Sequence, residues 1–316
     1  MCLKLRQDGI NEWLQQVDSW EAYREEGDFS IGFLYKGRGG TLPLNDDREH
    51  ARGDVSSDVA GPGMVFTPVE LIAMAGRVVP IELEDRTIHV WGFSLDGSAA
   101  VVEQCRVWLS GAEQARAGRF IYHQDRVRYV LAHGGLRGVL SRYAGLNPAA
   151  LTFQAGPTGK PALSDEQSLP HSLRFNLSHS HGRILVAVAK HLEVGADLEQ
   201  IREKVEVRKL ADRFYAPSER EKVAALSGLD RAHRFYRYWV AKEAVLKGQG
   251  VGLLSLQQCE ILASDNAARA EARLIKGSSM QPGWSIHWLD CGPGWAGAVS
   301  AHGSEWIIRV MKNEAP

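Results

Sequence analysis

The stretch Ile184-Leu185-Val186-Ala187-Val188-Ala189 is a continuous apolar run, and Val194-Gly195-Ala196-Asp197-Leu198-Glu199 follows it after a short break. An unbroken apolar run of this length is typical of a strand that is buried on both faces. The second segment then places two carboxylates two residues apart. On a strand, Asp197 and Glu199 project from one face and Leu198 from the other. We therefore expect a buried sheet that carries an acidic pair.

This acidic pair supports two interpretations. It could hold a shared cation, but an Asp-x-Glu at a strand end is also common at solvated edges and in salt bridges. A third carboxylate favours the first interpretation, because Trp239, Glu243 and Lys247 step by four residues and share one face of a predicted helix. The same spacing also occurs in ordinary surface Glu-Lys pairs. Mg²⁺ takes oxygen ligands and keeps substrate phosphates in its shell, so such a set would suit diphosphate chemistry.

Other patterns predict the elements around these residues. The alternation from Ile88 to Leu95 predicts a strand and the start of a folded domain near Arg86. Capping boxes at Ser110-Gly111-Ala112-Glu113 and Ser218-Glu219-Arg220-Glu221 predict two helix starts. Gly228 is placed to end the second of these helices, and Asp230 to cap a longer one that runs to Gly248. Further predicted elements are an amphipathic helix with Leu136, Val139, Leu140 and Tyr143 on its apolar face, and strands at Trp284 to Trp288, 296–301 and 306–311.

Composition excludes several classes of protein. Of 316 residues, 44% are hydrophobic and 24% charged, which argues against wholesale disorder. Lys and Arg total 37 against 38 Asp and Glu, so no nucleic-acid partner is expected. The four cysteines stand far apart, which predicts a reduced, cytoplasmic protein. Prolines and charges interrupt the most apolar long window, residues 64–83, so neither a signal peptide nor a membrane partner is expected.

Residues 1–85 are turn-rich and predict an N-terminal extension, with helices at most near 11–24 and 68–75. Farther on, Ser178 and His179 lie in a polar turn region where they could donate to a phosphate. A Ser/His hydrolase is the competing interpretation. It lacks support, because no Gly-x-Ser-x-Gly elbow surrounds Ser178 and neighbouring residues on a strand face opposite ways.

Taken in order, these motifs resemble one family, the 4'-phosphopantetheinyl transferases of the Sfp type. The resemblance covers roughly residues 86–311, and Arg119-Phe120 with Asp125-x-x-Arg128 fits the long, pseudo-dimeric type. The motifs that carry it are Gly159-Lys160-Pro161, Phe175-Asn176-Leu177-Ser178-His179-Ser180, Gly195-Ala196-Asp197-Leu198-Glu199, Phe214-Tyr215-Ala216-Pro217-Ser218-Glu219 and Trp239-x-x-Lys242-Glu243-Ala244-x-x-Lys247.

The resemblance implies an α+β fold of two similar halves, residues 86–194 and 195–316, with an active-site cleft between them and an N-terminal extension at 1–85. It implies transfer of the 4'-phosphopantetheine arm of coenzyme A to a serine of an apo acyl or peptidyl carrier protein. Adenosine 3',5'-bisphosphate would be the other product. The carrier could serve fatty-acid, polyketide, nonribosomal peptide or lysine-pathway enzymes, and a monomer is expected.

Residue roles follow from the same resemblance. Asp197, Glu199 and Glu243 would hold Mg²⁺, although Mn²⁺ accepts the same ligands. Glu243 would also take the proton of the carrier serine, and Lys247 would neutralise the departing phosphate. Glu219 matches a further acidic position near the metal. The positions that match coenzyme A contacts are Arg116, Arg128, Lys160, Ser178 and His179.

Two rival functions stay open at this point. One is a coenzyme A or carrier-protein binding module that has lost catalysis, against which the intact acidic set and Lys247 argue. The other is a metal-dependent hydrolase of another diphosphate. A nucleotide-hydrolysis assay without carrier protein would separate that hydrolase from the transferase.

Overall fold

The computed structural model describes residues 61–69, 80–155, 160–168, 172–203, 205–251, 253–264, 267–275 and 280–312. These residues belong to one compact unit that begins at Val59. The helix predicted near residues 11–24 lies outside the described residues. The helix predicted near 68–75 lies largely outside them, and Pro68 itself ends a strand. None of the described helices combines the length and the apolar character that a membrane span requires.

The first half of the fold is a five-stranded sheet covered by helices. Neighbouring strands in this sheet are, in order, Phe66–Pro68, Thr87–Ser94, Arg183–Lys190 and Leu173–Ser180, and Ile307–Val310 also pairs with Thr87–Ser94. The elements are β1 (Phe66–Pro68), β2 (Thr87–Ser94), α1 (Ala99–Trp108), α2 (Gly111–Gly118), α3 (His123–Ala144), β3 (Phe153–Ala155), β4 (Pro161–Leu163), α4 (Asp165–Ser168), β5 (Leu173–Ser180) and β6 (Arg183–Lys190). Strands β3 and β4 form a separate small ribbon.

The second half repeats this arrangement. Its sheet is antiparallel in the order β7-β11-β10-β9-β8. The elements are β7 (Val194–Gln200), α5 (Val207–Phe214), α6 (Pro217–Ala224), α7 (Gly228–Gln249), a 3₁₀ turn (Leu253–Gln258), β8 (Cys259–Leu262), β9 (Arg269–Leu274), β10 (Trp284–Leu289) and β11 (Trp295–His302). The last strand, β12 (Ile307–Val310), leaves this sheet and pairs in parallel with β2 of the first.

Several details show that the two halves are structural duplicates. Helices α3 and α7 each have 22 residues, and each ends at a glycine in the left-handed conformation, Gly145 and Gly250. Helices α2 and α6 each have eight residues and carry a glutamate at the third position, Glu113 and Glu219. The α+β fold of two similar halves that the resemblance implied is therefore confirmed.

The predicted helix starts have mixed outcomes. The capping box at Ser110 is confirmed, because Ser110 Oγ accepts from Glu113 N and the Glu113 carboxylate accepts from Ser110 N. The box predicted at Ser218 is wrong. The cap lies two residues earlier, at Ala216, so helix α6 begins at Pro217 and the Glu219 carboxylate accepts from Ala216 N. Gly228 does not end α6 but begins α7, ahead of the predicted cap at Asp230. A proline at the first helical position explains the earlier start of α6.

Two apolar cores organise the unit. In the first, α3 packs its predicted apolar face, Leu136, Val139, Leu140 and Tyr143, against the first sheet. The second core joins the two sheets and includes Val90, Ala187, Ala196, Leu198 and Val299. Because Ala196 and Leu198 point into this shared core, Asp197 and Glu199 point the other way, toward α7. The predicted strand and its acidic face are thus present, and packing of the two halves fixes which way the acids point.

Residues 61–68 form a segment that contacts both halves. Met64 N donates to Asp290 O at 2.7 Å in the second half, while Phe66–Pro68 pairs in parallel with β2 in the first. The Arg183 guanidinium lies between two rings, 4.5 Å from the Phe66 centroid and 4.4 Å from that of Trp295. This part of the predicted extension therefore packs against both halves.

A truncation tests this contribution. We expect a chain that begins at residue 70 to melt about 5 °C or more below one that begins at residue 61, because it lacks a strand and the Phe66 packing. Thermal unfolding followed by circular dichroism measures the difference. Equal melting temperatures would show that the segment contributes nothing to stability.

Candidate active site

Helix α7 lies directly on strand β7, and a glycine makes this contact possible. A Cβ on Gly195 would lie 1.9 Å from Ala244 O and 2.5 Å from Gly248 N. Any larger residue would push the helix away from the strand. The close approach brings the face of α7 that carries Glu243 and Lys247 against the acidic face of β7.

Lys247, Asp197 and Ser178 form a hydrogen-bonded group at this contact. Lys247 Nζ donates to Asp197 Oδ1 at 2.7 Å and to Ser178 Oγ at 3.0 Å. Ser178 Oγ donates in turn to Asp197 Oδ1 at 2.8 Å. The Asp197 side chain is fully buried, whereas that of Lys247 is 17% exposed. The ammonium therefore lies between a buried carboxylate and the surface.

Strand β5 reaches this group from the first half through a row of polar side chains. Asn176 Oδ1, Ser178 Oγ and Ser180 Oγ accept from the backbone N–H groups of Ala196, Leu198 and Gln200 at 2.9, 3.2 and 3.3 Å. Strands β5 and β7 are edge strands of different sheets. These side chains thus satisfy edge N–H groups of β7 that no neighbouring strand pairs, and they join the two halves.

Glu243 lies in an unfavourable place for a negative charge. Burial raises the pKa of its carboxyl well above the usual range. The nearby Asp197 and Glu199 carboxylates raise it further, and Lys247 opposes them. The charges of Asp197, Glu199 and Lys247 therefore act on Glu243 at the α7–β7 contact, where the three carboxylates form an acidic group.

The donor set fits a hard divalent cation. Asp197 Oδ2 and Glu243 Oε1 are buried and have no hydrogen-bond partner. Buried carboxylate oxygens without partners are costly unless a cation or donor meets them. Within the described part of the chain, no three acidic, His or Cys side chains stand close enough to form a ready-made metal site. A cation here would complete its shell with diphosphate oxygens, as Mg²⁺ commonly does.

The two predicted arginines lie on helices of the first half. Arg116 on α2 places its guanidinium 5.7 Å from the centroid of the Tyr129 ring. Arg128 lies on α3, and its Nη1 is 4.0 Å from Asp125 Oδ1. Arg128 also influences His181, which lies in the turn after β5. Burial lowers the pKa of the His181 imidazole, and the positive charges of Arg202 and Arg128 lower it further. Arg128 therefore lies on the side of the first half where β5 ends.

Lys160 and His179 are placed differently from Ser178. Lys160 Nζ donates to Glu193 Oε2, Val194 O and Gly248 O at 2.8, 3.1 and 2.8 Å, which uses all its protons. It thereby links the first half to both β7 and α7. His179 is half-buried between two buried serines on β5 and so projects from the opposite face of that strand.

Glu219 does not join the acidic group. Its carboxylate lies 2.8 Å from Lys242 Nζ and accepts from Ala216 N and Ile261 N, each at 2.8 Å. Lys242 also donates to the carbonyls of Leu256 and Cys259. Glu219 is part of a buried ion pair with Lys242, the residue before Glu243 on α7, and its place near the metal stays a prediction.

Sequence reasoning missed the roles of Asn176 and Ser180. Ser180 Oγ donates to Glu199 Oε2 at 2.9 Å, just as Ser178 does to Asp197. A signal was present, because Asn176, Ser178 and Ser180 alternate with Leu177 and His179. A polar residue at every second position on a buried strand indicates a polar partner across that face.

Only the second half carries the acidic group. Strand register places Trp91 and Phe93 of β2 where β7 has Asp197 and Glu199. Arg142 occupies the position in α3 that Lys247 occupies in α7. The Arg142 guanidinium lies 5.2 Å from the centroid of the Trp91 ring. A cation–π contact thus replaces the ion pair, so the duplicated fold holds one acidic site among the described residues.

Comparisons with known proteins agree with this architecture. The family model described as 4'-phosphopantetheinyl transferase superfamily matches residues 193–294, and that of the 4'-phosphopantetheinyl transferase N-terminal region matches residues 98–192. The 4'-phosphopantetheinyl transferase HetI of Nostoc sp. is 34% identical over 220 residues, 69% of this chain and 89% of that protein. The 4'-phosphopantetheinyl transferase Sfp of Bacillus subtilis is 28% identical over 168 residues, 52% of this chain and 72% of that protein.

The duplicated fold is that of a transferase built from two similar α+β halves. The chain belongs to the 4'-phosphopantetheinyl transferase superfamily. It is an enzyme that transfers the phosphopantetheine group to carrier proteins, and members of its family use coenzyme A as the substrate.

Proposed function

We propose that this transferase is Mg²⁺-dependent and uses Asp197, Glu199 and Glu243 to hold the ion against the diphosphate of coenzyme A. The observation that carries this proposal is the pair of buried, unpartnered carboxylate oxygens, Asp197 Oδ2 and Glu243 Oε1. When bound, Mg²⁺ would neutralise the diphosphate and polarise its phosphoryl oxygens.

The reaction we propose is one displacement at phosphorus. The hydroxyl oxygen of the carrier serine attacks the phosphorus that bears the pantetheine arm. The P–O bond to the other phosphate of the diphosphate breaks, and adenosine 3',5'-bisphosphate leaves with the bonding electrons. The proton of the serine passes to the Glu243 carboxylate, which acts as the general base.

Lys247 is placed to act on the leaving group. Its ammonium is the partly exposed member of the group and is held by Asp197 and Ser178. When a diphosphate occupies the cleft, the ammonium neutralises the charge that develops on the departing phosphate. Positioning and charge neutralisation of this kind carry most of the catalysis in phosphoryl transfer.

The nucleotide end of coenzyme A is assigned to Arg116, Arg128, Lys160, Ser178 and His179. Arg116 and Arg128 support this assignment because they lie on the first half and can meet a ligand bound between the halves. Lys160 already donates to three acceptors. In the proposed complex, a phosphate of coenzyme A replaces the exposed Glu193 carboxylate as a partner of the Lys160 ammonium.

The proposed partner is an apo acyl or peptidyl carrier protein, with no nucleic acid and no membrane involved, and the enzyme is proposed to act as a cytoplasmic monomer. The duplication supports the monomer, because one chain supplies both sides of the cleft. The domain boundaries that we propose are 85/86 and 194/195, with residues 61–69 packed into the fold from the extension.

Release of adenosine 3',5'-bisphosphate tests the proposal. We expect chromatography to detect the product only when coenzyme A, apo carrier and Mg²⁺ are all present. Release without carrier would favour the diphosphate hydrolase. Full release in EDTA would contradict the metal dependence, and coenzyme A binding without release on any carrier would favour the non-catalytic binding module.

A further inference from the structure

We propose that Ser180 is a positioning residue for Glu199, holding this carboxylate in the orientation in which it meets the cation. The inference rests on the proposed function, because it concerns one of the three acidic side chains assigned to the ion. It assigns a role in metal binding to a residue of the first half that does not itself reach the ion.

The geometry at Ser180 fixes the direction of its hydroxyl proton. Ser180 Oγ accepts from Gln200 N at 3.3 Å and lies 2.9 Å from Glu199 Oε2. An ionised carboxylate only accepts, so the hydroxyl must donate to Glu199. His181 Nδ1, 3.2 Å from the same oxygen, completes the surroundings of the hydroxyl. Ser180 is 1% exposed and Glu199 is fully buried, so water does not replace these contacts.

Ser178 and Ser180 repeat the same pattern two residues apart. Each hydroxyl accepts from the N–H that follows an acidic residue of β7 and donates to that residue's carboxylate. Lys247 additionally holds Asp197. Ser180 Oγ donates to Glu199 Oε2 at 2.9 Å, so loss of this hydroxyl removes a buried hydrogen bond from the carboxylate. Hydrogen bonds to ligand side chains of this kind commonly set metal affinity.

The protein offers a matched control on a neighbouring strand. Ser300 on β11 pairs in register with Gly195 and is also fully buried. Its Oγ has no hydrogen-bond partner in the described structure. Ser300→Ala therefore removes the same atom from a buried strand of the second sheet without removing a hydrogen bond to an acidic side chain.

The experiment measures Mn²⁺ binding by electron paramagnetic resonance in the presence of coenzyme A, on the full-length chain and on Ser180→Ala and Ser300→Ala. We expect Ser180→Ala to weaken Mn²⁺ binding about 10-fold. The metal concentration that gives half-maximal transfer should rise in parallel, while kcat at saturating metal stays close to that of the unmodified chain. Ser300→Ala should change neither quantity.

Two results overturn the inference. One is unchanged Mn²⁺ binding in folded Ser180→Ala, and the other is an equal loss in Ser300→Ala. If Ser180→Ala does not fold, Ser180→Cys is measured instead, because the thiol keeps the volume and donates only weakly. Mn²⁺ binding to the unmodified chain separates this inference from the proposed function. If the unmodified chain binds no Mn²⁺, the proposed metal site is contradicted, and with it the proposed function.

Discussion

Glu243→Gln is expected to lower the rate of phosphopantetheine transfer about 1,000-fold or more, since general-base groups alone commonly contribute two to four orders of magnitude. The substitution removes the proposed acceptor of the serine proton and one of the proposed cation ligands. The amide keeps the shape of the side chain, so the helix face and its packing are retained. The measurement is the initial rate of carrier modification at saturating coenzyme A and metal.

The same variant is expected to be at least as stable as the unmodified chain. Glu243 is buried beside Asp197 and Glu199, which raise its pKa, and a neutral amide relieves this repulsion. Loss of activity with an unchanged or higher melting temperature therefore identifies a functional role. Retained activity would contradict the assignment of Glu243, and a large loss of stability would contradict the account of its surroundings.

Lys242→Met is expected to lower the free energy of unfolding by about 3–5 kcal/mol, because it leaves the buried Glu219 carboxylate without its cation. Both side chains of this pair are essentially unexposed, at 0% and 1%. The ammonium also satisfies the Leu256 and Cys259 carbonyls. Urea denaturation of the chain measures the change.

Two comparisons separate this effect from a general cost of replacing lysine. Lys209→Met breaks an exposed pair with Glu206 and should cost less than about 1 kcal/mol. Adding Glu219→Gln to Lys242→Met should recover part of the loss, because the unpaired charge disappears. Equal losses for the two single lysine variants, or no recovery in the double variant, would contradict the buried ion pair.

The Glu219–Lys242 pair has a counterpart in the first half. Arg137 stands at the same position of α3 as Lys242 of α7, and its guanidinium lies 2.6 Å from Glu113. Arg137 likewise donates to two carbonyls, those of Pro148 and Leu151. The duplication therefore retains this framework in both halves, while among the residues that the structure describes the acidic group occurs only in the second. This division supports a structural role for Glu219 and a functional one for Glu243.

The sequence predicts the acidic group because its geometry is local. A strand of period two aligns Asp197 with Glu199, and a helix of period 3.6 aligns Glu243 with Lys247. Each pair follows from its own element. That the two pairs meet depends on the close contact at Gly195, which the spacing alone could not establish. The resemblance implied only that Asp197, Glu199 and Glu243 share a metal ion.

Other features depend on which strands become neighbours, and local patterns do not specify that. The segment 306–311 was predicted as a strand, but its parallel pairing with β2 of the other half is set by tertiary packing. The same holds for the row from Asn176 to Ser180, whose role follows from β5 lying beside the edge of β7. Glu219 has a carboxylate, as a metal ligand does, and the sequence does not show that this carboxylate pairs with Lys242. The ion pair becomes visible only in the folded structure.

The most direct test of the central claim is the intact mass of apo carrier proteins after incubation with this protein, coenzyme A and Mg²⁺, with and without EDTA. The account predicts a gain of one phosphopantetheine on a carrier, and no gain once EDTA removes the metal. An equal gain in EDTA would contradict the proposed role of Asp197, Glu199 and Glu243 in holding the ion.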